Sequence, residues 1–174
     1  MIHVALLRGI NVGSGRSVPM ADLRALCEGL GWRNVRTYIQ SGNVVFEADP
    51  GSDPAGTLER ALAGRYSFDI PVLVRTADQW RTLAADAPFG GWSHPKQLSV
   101  SLLDSAPDAD RWQTLAPWRD GDDEIELVDD RVWVKTPGGY GVTKFHNTFL
   151  EKKLGRRATT RNRATVEAVL NLLG

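Results

Sequence analysis

Near the start of the chain the run Arg8-Gly9-Ile10-Asn11-Val12-Gly13-Ser14-Gly15-Arg16-Ser17 combines three glycines with two arginines. It directly follows the apolar stretch His3 to Leu7 and directly precedes a helix-like segment. A strand, a polar loop and a helix in that order are the anatomy of an anion site. Glycines free the backbone to turn and bring N–H groups close to a ligand, and the next helix points its positive end at the loop. Arg8, Asn11, Gly13 and Arg16 are therefore candidate ligand contacts. The run matches neither familiar phosphate motif. A Walker A loop needs four residues between its glycines and then Lys-Ser/Thr, whereas five separate Gly9 from Gly15 and Arg16 replaces the lysine. The dinucleotide fingerprint fails because Val18 stands where its third glycine belongs. A generic anion nest remains, against the plain alternative of a surface loop whose glycines only make turns.

Three further segments could add to such a site. Gln40, Ser41 and Asn43 flank Gly42 in a short loop whose amides and hydroxyl could complete it, although Ser, Gly and Asn are also what a tight turn needs for its own hydrogen bonds. Arg156, Arg157, Arg161 and Arg163 cluster around the expected start of the last helix, which Asn162 or Thr160 would cap. Basic residues there oppose the helix dipole, and either a bound anion or the acidic Asp120 to Asp130 segment would resolve the conflict. Gly138-Gly139-Tyr140-Gly141-Val142-Thr143-Lys144 reads as a second glycine-rich strand-to-helix junction, with a hydroxyl and an ammonium in the first helical turn. Lys144, Arg161 and Asn162 complete the candidate ligand set.

Catalytic machinery is not assembled by the sequence. His3, His94 and His146 have no spaced partner, and Cys27 shares a buried stripe with leucines, as a small core residue does. No Cys/His spacing suggests zinc, and Asp122-Asp123-Glu124 reads as a solvated turn rather than a metal site. No cofactor is indicated.

The elements that must hold these residues follow from periodicity. Pro19 suits a first helical turn, and Leu23, Leu26, Cys27 and Leu30 form one buried stripe that Gly31 ends. Val35 to Gln40 and Asn43 to Glu47 read as a hairpin across Ser41-Gly42, which would set Ile39 opposite Val44, Thr37 opposite Phe46 and Arg36 opposite Glu47. A linker at Asp49 to Asp53 precedes a helix carrying Leu58, Ala61, Leu62 and Tyr66, and then a strand from Pro71 to Arg75. The order β-α-β-β-α-β is that of a ferredoxin-like split βαβ unit. Thr76-Ala77-Asp78-Gln79 matches a capping box, so a short helix with Trp80 and Leu83 leads to a hinge-like loop, Asp86 to Pro95.

The second half offers a strand at Gln97 to Leu103, a helical or irregular stretch near Ala109 to Trp118, and a hairpin of Glu124 to Val128 with Arg131 to Lys135. Its Asp129-Asp130 turn pairs Leu127 with Val132, Ile125 with Val134 and Glu124 with Lys135. Two closing helices carry Val142, Phe145, Phe149, Leu150 and Leu154, and then Val166, Val169, Leu170 and Leu173. This repeats β-α-β-β-α loosely, without a residue-level repeat. The expectation is an α+β fold of two ferredoxin-like halves, antiparallel sheets with helices on one face, over residues 1–85 and 86–174.

With 174 residues the chain can bury a core without staples, and its one cysteine forms no internal disulfide, which fits a reducing compartment. No segment approaches the ~18 apolar residues of a membrane span, so a cytoplasmic protein with no membrane partner is expected. The formal charge is zero, but Asp104 to Asp130 carries a balance of −8 and Gly141 to Gly174 one of +5. One acidic and one basic surface follow, unless the two segments fold against each other.

Four blocks resemble a bacterial family known as domain of unknown function 1697. They are Val4-Ala5-Leu6-Leu7-Arg8-Gly9-Ile10-Asn11-Val12-Gly13; Val35-Arg36-Thr37-Tyr38-Ile39-Gln40-Ser41-Gly42-Asn43-Val44; Gly141-Val142-Thr143-Lys144; and Phe149-Leu150-Glu151-Lys152-Lys153-Leu154-Gly155 continuing to Ala158-Thr159-Thr160-Arg161-Asn162. The resemblance runs nearly end to end and implies two ferredoxin-like halves, with no established activity. Arg163 departs from the pattern by standing where an aromatic follows Arg-Asn, which removes a stacking group from the start of the last helix. Thr143 replaces a serine and keeps the hydroxyl.

Three functional classes are consistent with these residues. The first is a binding module for a phosphate-bearing ligand, a nucleotide or a nucleic-acid backbone, using the N-terminal loop and the C-terminal arginines. The second is an enzyme acting on a small anionic metabolite in a cleft between the halves. The third is an interaction protein using opposite surface charges and some of its six tryptophans. An RNA-recognition domain of the same βαββαβ order needs exposed aromatics on its first and third strands. His3 to Leu7 has none, and Phe46 is expected on the core face.

Overall fold

The computed structural model describes residues 1–13, 15–90 and 95–174; Ser14 of the glycine-rich run and residues 91–94, which include the candidate His94, lie outside the described residues. The chain divides into two compact units, Met1–Ala85 with Ala168–Gly174, and Asp86–Glu167.

In the first unit β1 (Ile2–Leu7), α1 (Met20–Gly29), β2 (Arg33–Tyr38), β3 (Asn43–Glu47), α2 (Pro54–Arg65) and β4 (Val72–Thr76) are followed by α3 (Ala77–Ala85). The sheet order is β2-β3-β1-β4, antiparallel throughout, as the ferredoxin-like reading requires. One face forms the core: Ala5, Leu7, Val44 and Phe46 meet Leu23 and Cys27 of α1 and Leu58 and Leu62 of α2. Each fully buried leucine contributes about 1.5–3 kcal/mol by leaving water. Val4 and Leu6, on the opposite face of β1, are also fully buried. Burial on both sides is why β1 is a continuous apolar run rather than an alternating one. Phe46 stacks on Trp32 at 3.9 Å in the core, so no aromatic platform of the RNA-binding kind is presented there.

The first hairpin has a different register from the expected one. Tyr38 faces Asn43, Thr37 faces Val44 and Arg36 faces Val45, so the loop is the four residues Ile39 to Gly42. The cause is local: Asn43 Nδ2 donates to the Tyr38 carbonyl at 2.9 Å and to Ser41 Oγ at 3.1 Å, closing the loop from inside. A slip of two residues leaves every side chain on its original face, so the apolar pattern alone could not exclude it.

The second unit has β5 (Leu98–Leu103), α4 (Ala109–Leu115), β6 (Glu124–Val128), β7 (Arg131–Lys135), α5 (Asn147–Leu154), β8 (Ala158–Asn162) and then α6 (Arg163–Leu173), whose last six residues belong to the first unit. Its sheet is β6-β7-β5-β8, again antiparallel. The β6–β7 hairpin has the expected register, Leu127 with Val132, Ile125 with Val134 and Glu124 with Lys135. Asp129 takes φ 55°, a left-handed turn conformation that Asp tolerates.

Two expectations for this unit need correction. The first closing helix starts at Asn147, so Val142, Thr143 and Lys144 precede it and Val142 is 77% exposed. Asp120 accepts from the Lys144 amide and Thr143 Oγ1 from the Phe145 amide, which hold this segment out of the helix until His146 caps it through the Phe149 amide. The expected order β-α-β-β-α lacked a strand: Ala158–Asn162 form β8, paired with β5 along its length, and lead directly into the last helix at Arg163.

The same βαββαβ-α arrangement is thus built twice, and equivalence extends to single residues. Val4 faces Arg75 as Val100 faces Arg161. Leu7 N donates to Gly42 O and Leu103 N to Asp130 O, both at 2.9 Å; Arg8 N donates to Pro71 O and Asp104 N to Arg157 O, both at 3.0 Å. Leu58-Glu59-Arg60-Ala61-Leu62 corresponds to Leu150-Glu151-Lys152-Lys153-Leu154, and each glutamate accepts the first amide of the edge strand, Val72 N or Ala158 N, at 2.9 Å. The repeat that the sequence reading lacked is therefore present. It is carried by spacing within strands and helices, while the loops between them differ.

Candidate functional site

The glycine-rich loop begins where β1 leaves the sheet. Gly9, Asn11 and Gly13 have positive φ, at 66°, 53° and 67°, while Ile10 and Val12 between them do not. Alternation of that kind turns successive backbone N–H groups toward a common side and underlies anion-holding nests. Asn11 fixes the loop. Its Nδ2 donates to the Val18 carbonyl at 2.9 Å and to the Gln40 carbonyl at 2.7 Å, and its Oδ1 accepts from Val18 N at 2.8 Å. Its backbone N–H donates to Arg16 O at 2.8 Å. Both amide hydrogens of the Asn11 side chain are therefore engaged, one closing the loop on Val18 and the other joining it to the hairpin at Gln40.

Arg16 lies with its guanidinium carbon 4.9 Å from the Phe68 ring centre and donates through Nη2 to the Asp69 carbonyl. Its Nε is buried and has no partner among the described residues. A buried donor left so costs roughly 1–3 kcal/mol unless a water or ligand satisfies it. Arg8 is half-buried at the start of the loop, Gly13 is exposed with open space around it, and Gln40 is exposed. Ser41 Oγ accepts from Asn43, whose side chain is buried. A Cβ on Gly42 would lie 2.7 Å from Ile10 Cδ1 and 2.8 Å from Leu7 Cβ. The structure therefore brings Arg8, Asn11, Gly13, Arg16, Gln40, Ser41 and Asn43 together in two interlocked loops at one end of the first sheet.

The remaining candidates lie in the second unit and have internal roles. Lys144 Nζ is 3.3 Å from Asp120, whose carboxyl is held below the usual range chiefly by the Lys144 amide. Arg161 is buried and donates through Nη1 to Thr159 Oγ1 and the Thr160 carbonyl; burial pushes its guanidinium down to about 10, with Tyr140 opposing. Asn162 Oδ1 caps α6 by accepting from Thr165 N at 2.8 Å. Arg156 pairs with Asp108 and Arg157 with Asp104, while Arg163 pairs with Glu167 one turn along α6. The partners of these three arginines are Asp104, Asp108 and Glu167, so carboxylates other than those of the expected Asp120 to Asp130 segment answer the conflict that the arginines posed.

Cys27 and His3 belong to the core. Burial raises the Cys27 thiol to about 12, as expected of a core residue. His3 is buried against Phe46, donates through Nδ1 to the Met1 carbonyl at 3.0 Å, and is lowered mainly by burial. Among the described residues no group of three or more His, Cys, Asp or Glu side chains could hold a metal ion.

A family model described as a protein of unknown function, DUF1697, matches residues 1–133. The chain belongs to this family. The DUF1697 match takes in the glycine-rich loop and the first hairpin and ends within β7 of the second, whereas Lys144, Arg161 and Asn162 lie beyond it. A conserved bacterial protein of Streptococcus pneumoniae, SP0830, is similar in structure over 99% of this chain and 98% of its own, with a TM-score of 0.79 and 25% identity. No curated protein matches the chain. No helix among the described residues is long and apolar enough to cross a membrane.

Sequence reasoning missed Phe68 and Asp69, which hold Arg16 in place. No motif marks them, because their role is set by a contact across some fifty residues of chain.

Proposed function

We propose that this DUF1697 protein binds a phosphate-bearing ligand, a nucleotide or a nucleic-acid backbone, at the loop from Arg8 to Arg16. The observation that carries the reading is the alternation of φ at Gly9, Ile10, Asn11, Val12 and Gly13, flanked by two arginines and fixed by Asn11. Amides gathered by such a loop stabilise an anion without a lysine, and the arginines supply the charge. The unpartnered Arg16 Nε adds a donor on the same loop. Gln40 and Ser41 border the site from the hairpin. The C-terminal arginines are left out of the site because Asp104, Asp108 and Glu167 already neutralise three of them.

The test separates backbone from side chain. Gly13 has φ 67° and open space around it, so alanine there disturbs the backbone conformation while asparagine tolerates it. Thermal shifts with pyrophosphate, nucleotides and short oligonucleotides are measured at low and moderate salt. Ligand at 100 times its Kd adds about 2.7 kcal/mol, or roughly 5–11 °C for a chain of this size. Gly13→Ala should reduce the shift and Gly13→Asn retain it. Absence of a shift with every anion would refute the reading.

A further inference from the structure

Ile39 is at odds with its own backbone. It sits at φ 48°, in the left-handed region that β-branched residues rarely adopt, and its side chain is 49% exposed. Asparagine or glycine would occupy this position without strain. The loop is held in this shape from three sides. Asn43 Nδ2 donates to the carbonyl of the preceding residue, Tyr38; Asn11 Nδ2 donates to that of the following residue, Gln40; and Gly42 packs with no room for a Cβ against Ile10 and Leu7. A strained residue that its surroundings hold in place is the pattern of functional sites, where a local rule is broken for a gain elsewhere. Val12, at the tip of the neighbouring loop, is 67% exposed, and its preceding residue Asn11 is the one bonded to Gln40. The Asn11–Gln40 bond thus joins the loop that carries Val12 to the loop that carries Ile39, and both aliphatic side chains are exposed.

From this juxtaposition we infer that Ile39, with Val12, forms the apolar subsite of the anion site, so that the ligand carries a flat ring as well as a phosphate: a nucleotide held by its base on Ile39 and by its phosphate on the loop. This rests on the phosphate reading above. A nucleobase offers an apolar face to aliphatic side chains while its edge stays in water, which suits two exposed groups.

Isothermal titration with ribose 5-phosphate and with adenosine 5′-monophosphate distinguishes the two readings, because both carry the phosphate and only one carries the base. The base should improve affinity about fivefold to tenfold in the natural protein, as the burial of part of an isoleucine allows. Ile39→Asn should abolish that difference and leave ribose 5-phosphate binding unchanged. It should also raise Tm by about 2–4 °C by releasing the left-handed strain. Equal affinities for the two compounds in the natural protein would overturn the inference while leaving the phosphate site intact. A lower Tm in Ile39→Asn would also overturn it, by showing that Ile39 is retained for packing. Failure of both compounds to bind would overturn both readings.

Discussion

Asn11→Ala is the sharpest perturbation of the two-loop assembly. The substitution removes three side-chain hydrogen bonds, two to Val18 and one to Gln40, and leaves alanine at φ 53°. Each bond has a net worth of about 0.5–1.5 kcal/mol, and Val18 is fully buried, so its stranded amide and carbonyl push two of the three toward the upper value. Alanine in the left-handed region adds about 1–2 kcal/mol. The sum is on the order of 4.5–6.5 kcal/mol, a fall in Tm of roughly 9–26 °C for a chain of this size. Asn11→Gly separates the contributions, because glycine loses the bonds but accepts the backbone angle, and should be less destabilised than alanine by about 1 kcal/mol. Asn11→Asp keeps the acceptor but turns a carboxylate toward the carbonyls of Val18 and Gln40, and should be worse than glycine. Urea unfolding of the three variants measures the order. A cost below about 0.5 kcal/mol for alanine would refute the clamp, and equal costs for alanine and glycine would refute the contribution of the left-handed angle.

Gly42→Ala should cost about 2–4 kcal/mol, because its Cβ would lie 2.7 Å from Ile10 Cδ1 at a left-handed φ of 79°; chemical denaturation reads this directly. His3 is held below its ordinary value of 6.5 mainly by burial, so the unfolded chain takes up the proton first as pH falls. Stability should therefore decline through and below that pH, and His3→Gln should flatten the slope of unfolding free energy between pH 7 and pH 5. Glu59→Ala and Glu151→Ala each remove the acceptor of an edge-strand amide at 2.9 Å and should destabilise by similar amounts, about 1–3 kcal/mol, as equivalents in a twofold-built chain.

The sequence was most informative where periodicity and short-range chemistry coincide. The stripe of Leu23 and Cys27 packs as expected, and the box of Thr76 and Gln79 makes both of its bonds, Thr76 N to Gln79 Oε1 at 2.9 Å and Gln79 N to Thr76 Oγ1 at 3.2 Å. The β6–β7 register follows from alternation about a two-residue turn. Alternation did not locate the β2–β3 loop, because a slip of two residues leaves both faces intact and the decision lies with the Asn43 side chain. β8 was missed for another reason. Ala-Thr-Thr-Arg-Asn has little apolar alternation, and its strand character comes from pairing with β5 and from the Glu151 acceptor, both remote in sequence. Within the candidate site the glycines and arginines were legible by type. The clamp of Asn11 on Gln40, the stacking of Arg16 on Phe68 and the left-handed Ile39 were not, since each depends on where the second loop ends up.

The central claim is that the amides of the first loop hold a phosphate. Chemical-shift mapping of the 15N-labelled protein during titration with pyrophosphate tests it most directly. The account predicts saturable shifts centred on the amides of Gly9, Ile10, Val12 and Gly13, weakened in Gly13→Ala and retained in Gly13→Asn. Shifts confined to residues outside 8–18 and 39–43, or no saturable shift in that loop, would contradict it.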